Sequence, residues 1–196
     1  MSSAPVESTS QALPTRKGLP LIAKIVLGIV GVLLLLMLVT YGIGMATPLD
    51  HQVTKSLDLK VDQQQVYDAM VDWEQYPKWR TELVGVSAVQ DPEGDPRWLE
   101  DWKGDQDIEL EITAEEPGRR VEITIHDPSD MFSGTWECLV APAEGGSMVT
   151  LTERGTIPNP MVRGMMTCVP GAKAYCLTLY LKGLAKKFGE DPPRLH

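Results

Sequence analysis

The chain has 196 residues, 43% of them hydrophobic, and a net charge of −9, which suits one globular domain with an appendage. Residues 1–49 carry Arg16, Lys17 and Lys24 against Glu7, a net +2, so the remainder holds −11. That acidity argues against nucleic acid as a partner, whose phosphates need a basic footprint, and against charge-driven adhesion of the domain to anionic lipid.

In chain order, residues 1–18 (MSSAPVESTSQALPTRKG) are polar and unpatterned, and residues 1–24 are expected to form a flexible tail. Residues 25–46, IVLGIVGVLLLLMLVTYGIGMA, contain no charge. As a helix they reach about 33 Å, enough for a hydrocarbon core of roughly 30 Å, with every backbone polar group satisfied internally. They are expected to be a single transmembrane helix that makes the bilayer a partner. A cleaved signal sequence is the alternative, since Gly44 and Ala46 are small, although the apolar region of such a signal is usually shorter. Arg16, Lys17 and Lys24 before the helix outnumber Lys55 and Lys60 after it, which favours an extracytoplasmic domain, periplasmic or extracellular.

Residues 47–51 form a short link, and a folded domain is expected over residues 50–190. Thr54–Lys60 reads as a strand. Asp62 and Gln65 resemble a capping box before a helix carrying Val66, Tyr67 and Met70 on one face. Pro77 breaks the aromatic segment 73–80, WEQYPKWR. Strands follow at Leu83–Gln90, Arg97–Lys103, Gln106–Ala114, Arg120–His126, Phe132–Val140 and Ser147–Ile157, with turns at DPEGDP (91–96), Gly104-Asp105, Glu116-Pro117-Gly118 and Glu144-Gly145-Gly146. In Gln106–Ala114, Ile108, Leu110 and Ile112 alternate with Asp107, Glu109 and Glu111, the mark of a half-buried strand. Asn159 and Pro160 open a last helix, with apolar positions at 162, 166, 169, 176, 177, 180, 184 and 188. Pro170-Gly171 is expected to kink or interrupt it, and Asp191-Pro192-Pro193 closes the chain. The pattern predicts an α+β fold in which a curved antiparallel sheet wraps a long C-terminal helix and leaves room for a cavity.

From about Val53 to Phe188 the chain resembles the START-like, or SRPBCC, superfamily of polyketide cyclase/dehydrase and lipid-transport proteins, with its helix-grip fold. Asp72, Tyr76, Pro77 and Trp79 match the family's Asp-x-x-x-Tyr-Pro-x-Trp turn. Residues 132–160 match its Gly-x-Trp strand (Gly134, Trp136), Gly-rich hairpin and Thr-x-x-Glu strand (Thr150, Glu153). The resemblance implies an apolar cavity between sheet and helix. It implies no one chemistry, because some members carry ligands and others are enzymes.

The residues themselves show little catalytic machinery. His51, His126 and His196 have no metal-ligand spacing, and there is no nucleophile elbow or P-loop. No cofactor and no metal are expected. Cys138, Cys168 and Cys176 have no redox spacing and read as unpaired thiols; on a continuous helix Cys168 and Cys176 stand ~12 Å apart, beyond disulfide reach. Glu153 shares its strand face with Val149 and Leu151, which makes it a candidate polar group in the cavity; a rim position or salt bridge is the plainer alternative. Tyr67, Trp98, Trp102 and Trp136 are candidate cavity aromatics, with use in the core as the alternative. Met161, Met165 and Val169 are candidate ligand contacts, because methionine adapts to irregular apolar sites. The expected function is membrane-tethered binding or carriage of a lipid-like or other apolar small molecule without catalysis. The alternatives are a polyketide cyclase/dehydratase-like enzyme and an interaction module with no open cavity.

Overall fold

A computed structural model of the chain describes residues 20–89, 97–104, 106–126, 131–191 and 195. The expected tail up to residue 19, the turn at 91–96, Asp105, Pro192-Pro193 and His196 lie outside the described residues. The chain forms two compact units, residues 1–38 and 39–196.

Helix α1 (Leu21–Ala46) begins four residues before the uncharged stretch and takes in Lys24. In the first unit its large side chains, such as Ile25, Val32, Leu35 and Leu38, are more than half exposed. Length and composition suit a membrane span, and a leader sequence passes the same test.

The second unit is a seven-stranded antiparallel sheet with helices. The elements are β1 (Asp50–Leu59), α2 (Gln63–Val71), a 3-10 turn (Trp73–Gln75), α3 (Tyr76–Trp79), β2 (Leu83–Val89), β3 (Arg97–Trp102), β4 (Gln106–Glu116), β5 (Arg120–His126), β6 (Ser133–Ala143), β7 (Gly146–Thr156), α4 (Pro160–Cys168), a 3-10 turn (Ala172–Ala174) and α5 (Tyr175–Lys187). Strand order is β1-β7-β6-β5-β4-β3-β2. The two strands flanking α2 and α3 therefore sit at opposite edges, and strands consecutive in the chain from β2 to β7 are antiparallel neighbours. β1 starts four residues earlier than its alternation suggests, because Asp50 to Val53 pair with Thr156 to Glu153. The link after α1 is thus only Thr47–Leu49.

The helix starts follow local chemistry. The Asp62 carboxylate accepts from the Gln64 N–H at 2.9 Å, and the Asn159 side chain accepts from the Met161 and Val162 N–H groups, satisfying donors that a helix N-terminus leaves open. Pro170-Gly171 does interrupt the last helix. Val169 is extended (φ −94°, ψ 113°), as the residue before proline must be, and Gly171 is left-handed (φ 78°), a conformation that glycine adopts without penalty. The apolar positions of the last helical segment do not share one buried face: Val169 is exposed, while Leu177, Tyr180, Leu181 and Leu184 of α5 are fully buried. Each such side chain contributes about 1.5–3 kcal/mol. They meet Leu57, Val121, Ile123, Cys138 and Leu151 from the inner face of the sheet. The Tyr76-Pro77-x-Trp79 turn seals one end. The Tyr76 hydroxyl donates to the Met70 carbonyl and lies 3.2 Å from the Tyr180 hydroxyl, and Trp79 packs edge-on against Tyr180.

Candidate functional site

The sheet is larger than α5 can cover, and the space left over is a cavity of about 330 Å³. Its wall comes from alternate residues of adjacent strands, as period-2 geometry requires: Trp102 and Glu100 from β3, Ile108 and Leu110 from β4, Ile125 from β5, Trp136 from β6 and Glu153 from β7. Val162 and Met166 of α4, with Ala172, Lys173 and Cys176, form the helical side. Met131, Phe132 and Ile157 complete it. A second depression, lined by Gln75, Lys78, Thr81, Lys186, Lys187 and Trp79, is a polar surface hollow unlike this apolar one.

Two carboxylates interrupt the apolar wall, and both are held in the same way, by one tryptophan N–H and one basic side chain. Glu153 Oε2 accepts from Trp136 Nε1 at 2.8 Å, and its Oε1 lies 3.0 Å from His51 Nε2. Glu100 Oε2 accepts from Trp102 Nε1 at 3.0 Å, and its Oε1 accepts from Arg80. Arg80 is 1% exposed and Glu100 2%. The Arg80 guanidinium also binds Glu82 and lies 5.3–5.4 Å from the ring centroids of Tyr76, Trp102 and Tyr180. Burial raises the Glu153 carboxyl above the ordinary carboxylate range, with the His51 and Trp136 hydrogen bonds pulling the other way. Burial likewise raises Glu100, against the pull of Arg80. When ionised, Glu153 can only accept, so His51 Nε2 then carries the proton. His51 Nδ1 is buried and has no hydrogen-bond partner among the described residues. A buried carboxylate with a raised pKa next to an imidazole can hold a proton, accept a hydrogen bond from a ligand hydroxyl, or pass a proton on.

Of the side chains expected at the cavity, Trp102, Trp136 and Glu153 lie in its wall. The others lie elsewhere. The Tyr67 hydroxyl donates to Glu115 on β4. Trp98 stacks on Trp73 at 6.1 Å, which seats it against the short helices. On α4 the cavity face carries Val162 and Met166, one position on from Met161 and Met165, and Met165 and Val169 are exposed. Reasoning from sequence did not pick out Glu100, Arg80 or His51. Glu100 carried a readable signal, since it alternates with Trp98 and Trp102. Arg80 and His51 carried none, because their partners are 20 and 102 positions away. Among the described residues no cluster of three metal-ligating side chains exists. All three cysteines are free, with Cys138 buried, Cys176 half-buried and Cys168 exposed.

Residues 50–187 match the family described as polyketide cyclase / dehydrase and lipid transport. No curated protein matches the chain. Among solved structures, the Zhui aromatase/cyclase from Streptomyces sp. R1128 is similar at a TM-score of 0.57 and 10% identity, over 70% of this chain and 93% of that one. Protein MLL2253 from Mesorhizobium loti is similar at 0.54 and 12%, over 71% and 97%. A protein from Rhizobium leguminosarum is similar at 0.55 and 12%, over 69% and 91%. These likenesses establish the helix-grip fold, and with the family match over most of its length the chain belongs to the polyketide cyclase / dehydrase and lipid transport family.

Proposed function

We propose that this protein is a membrane-tethered binding or carrier domain for a lipid-like or other apolar small molecule, held by residues 25–46 with its domain, residues 50–190, on the extracytoplasmic side, and that it works without catalysis. The observation that carries the reading is the apolar cavity of about 330 Å³ between sheet and helices, at the lower end of the range for small-molecule sites. Its wall offers large apolar surfaces from Trp102, Trp136, Ile108, Leu110 and Met166. Its few polar groups already bind each other, which suits a site that fixes the orientation of a ligand. Glu100 and Glu153 put two polar groups into the otherwise apolar wall, and a mainly apolar ligand with a hydroxyl or other hydrogen-bonding group suits them.

The test is mass spectrometry of the intact protein purified in mild detergent, α1 included. A bound apolar molecule is expected, and Cys176→Phe, which places a ring in the cavity, should remove it. Absence of any bound molecule from the wild-type protein would sink the reading. A second reading, an enzyme acting on a polyketide-like substrate, is favoured by the His51–Glu153 contact at 3.0 Å and by the likeness to an aromatase/cyclase. On that reading Glu153→Gln abolishes turnover of such a substrate; on the carrier reading it alters affinity alone.

A further inference from the structure

The last two turns of α1 are built into the domain. A Cβ on Gly164 would fall on the Thr40 carbonyl oxygen and 2.9 Å from its carbon, and a Cβ on Gly44 would fall on the Pro160 carbonyl and 2.9 Å from the Gly164 nitrogen. Only glycine lets two backbones approach so closely. Arg163, 5% exposed, locks the contact. Its Nε donates to the Gly44 carbonyl at 2.7 Å, and its Nη1 donates to the Ile157 and Pro158 carbonyls at 2.6 and 2.9 Å. The Gly44 carbonyl lies in the last turn of α1, where it also accepts from the Thr47 N–H at 3.3 Å, and the Arg163 guanidinium adds a charged donor, which makes a stronger bond.

This contact ties α4 to the last two turns of α1. Thr40 precedes the helix end at Ala46 by about 9 Å along the axis at ~1.5 Å per residue. The headgroup layer on each side of a bilayer is only about 5–7 Å thick. If residues 25–46 span, a helix whose backbone touches Thr40 lies at the level of the headgroups and upper acyl chains. Passing round α4 at about 100° per residue from the Gly164 face, Cys168, Met161 and Met165 come in turn, and then the cavity residues Val162 and Met166. Val169 continues the same arc at the helix end. Met165 is 54% exposed and Val169 57%, and Cys168 is exposed. The arc therefore runs without a polar side chain from the anchor contact to the cavity wall.

We propose that this arc (Met161, Met165, Cys168 and Val169) is a lipid-bilayer contact surface, held in the membrane interface by the packing of Gly164 and Arg163 of α4 on Thr40 and Gly44 of α1, and that it leads from the acyl chains to the cavity. The proposal rests on the membrane-tethered reading above and adds where the domain touches the lipid. The contact is apolar, in keeping with the domain's acidity, so it needs no anionic lipid. Depth of insertion for such a face is about 5–10 Å.

The test uses the full-length protein in dioleoylphosphatidylcholine vesicles. Cys168 is the exposed thiol of the three, so a bimane fluorophore placed on it reports the arc directly. The control is Met148→Cys in a Cys168→Ser background, because Met148 is exposed on β7 away from α4. With doxyl-labelled phosphatidylcholine in the vesicles, the Cys168 probe should be quenched, because a depth of about 5–10 Å brings it beside the labelled chains, and the probe at position 148 should keep its full fluorescence. Equal exposure of both probes to aqueous iodide, with no quenching by lipid, overturns the proposal. Flotation of the vesicles separates the two possible failures. Protein that floats with an unquenched Cys168 probe refutes the contact surface but leaves the tether intact; protein that does not float refutes both. Gly164→Leu, which cannot accept the Thr40 contact, should reduce the quenching at Cys168 while the protein still floats.

Discussion

Arg80→Met tests how the polar part of the cavity wall is held. Arg80 and Glu100 form an ion pair at 1% and 2% exposure, and the substitution leaves the Glu100 carboxylate with only the Trp102 N–H at 3.0 Å. Breaking a buried pair from one side costs about 3–5 kcal/mol, a large part of a typical total of about 5–15 kcal/mol. For a domain of this size that corresponds to a fall in Tm of roughly 6–20 °C. Arg80 also sits among the rings of Tyr76, Trp102 and Tyr180, and methionine keeps part of that packing, so the loss reads mainly the stranded charge. Removing both charges, in Arg80→Met with Glu100→Leu, should recover much of the loss, because well-packed apolar replacements of buried pairs are often neutral or better. Recovery will be incomplete, since the Trp102 N–H loses its acceptor at a cost of about 1–3 kcal/mol. Urea denaturation of the wild type, both single variants and the double variant forms the complete cycle. A single-variant loss below about 1 kcal/mol, or a double variant as unstable as the two losses added, would refute the reasoning.

Burial raises Glu153, so its favourable contribution is complete below the unfolded carboxylate value of about 4.3 and is lost as pH rises through the higher folded value. Glu153→Gln should therefore gain stability relative to wild type as pH climbs above that point, read from Tm across pH 4–8; a flat difference would count against the burial argument. Burial pushes the Cys176 thiol up to about 11 and Cys138 up to about 12, so maleimide at pH 7 should label Cys168 alone, with the other two reacting only on unfolding; rapid labelling of Cys176 in the folded protein would contradict this. Trp136→Phe keeps the ring contact with Tyr180 but removes the donor to Glu153, and should cost about 1–3 kcal/mol by denaturation, whereas Tyr67→Phe, outside the cavity, should leave ligand retention unchanged by mass spectrometry.

Much of the architecture was legible because it depends on periodicity. The alternation of Ile108, Leu110 and Ile112 with acidic residues, and of Val121, Ile123 and Ile125 in β5, marks strands with one covered face, and these strands are present. The caps at Asp62 and Asn159 and the break at Pro170-Gly171 were equally local, since each depends on the backbone chemistry of a few consecutive residues. The alternation on β7 also singled out Glu153 as the charge on an apolar face. On α4, by contrast, helical spacing gave a set of apolar positions without saying which faced the cavity. A turn of about 100° separates Met165 from Met166, and that step separates an exposed side chain from one in the cavity wall.

By itself the sequence determined the apolar helix, the succession of strands along the chain and the family, because each is written in runs, periods and short motifs. Tertiary structure alone decided what those elements do together. Only β1 pairing with β7 brings His51 to Glu153, only β3 lying beside the Tyr76–Arg80 segment pairs Arg80 with Glu100, and only the approach of Gly164 to Thr40 joins the end of α1 to α4. These contacts link residues 20 or more positions apart. They depend on which distant segments the fold brings side by side, and the local periodicity of one segment does not name its partner.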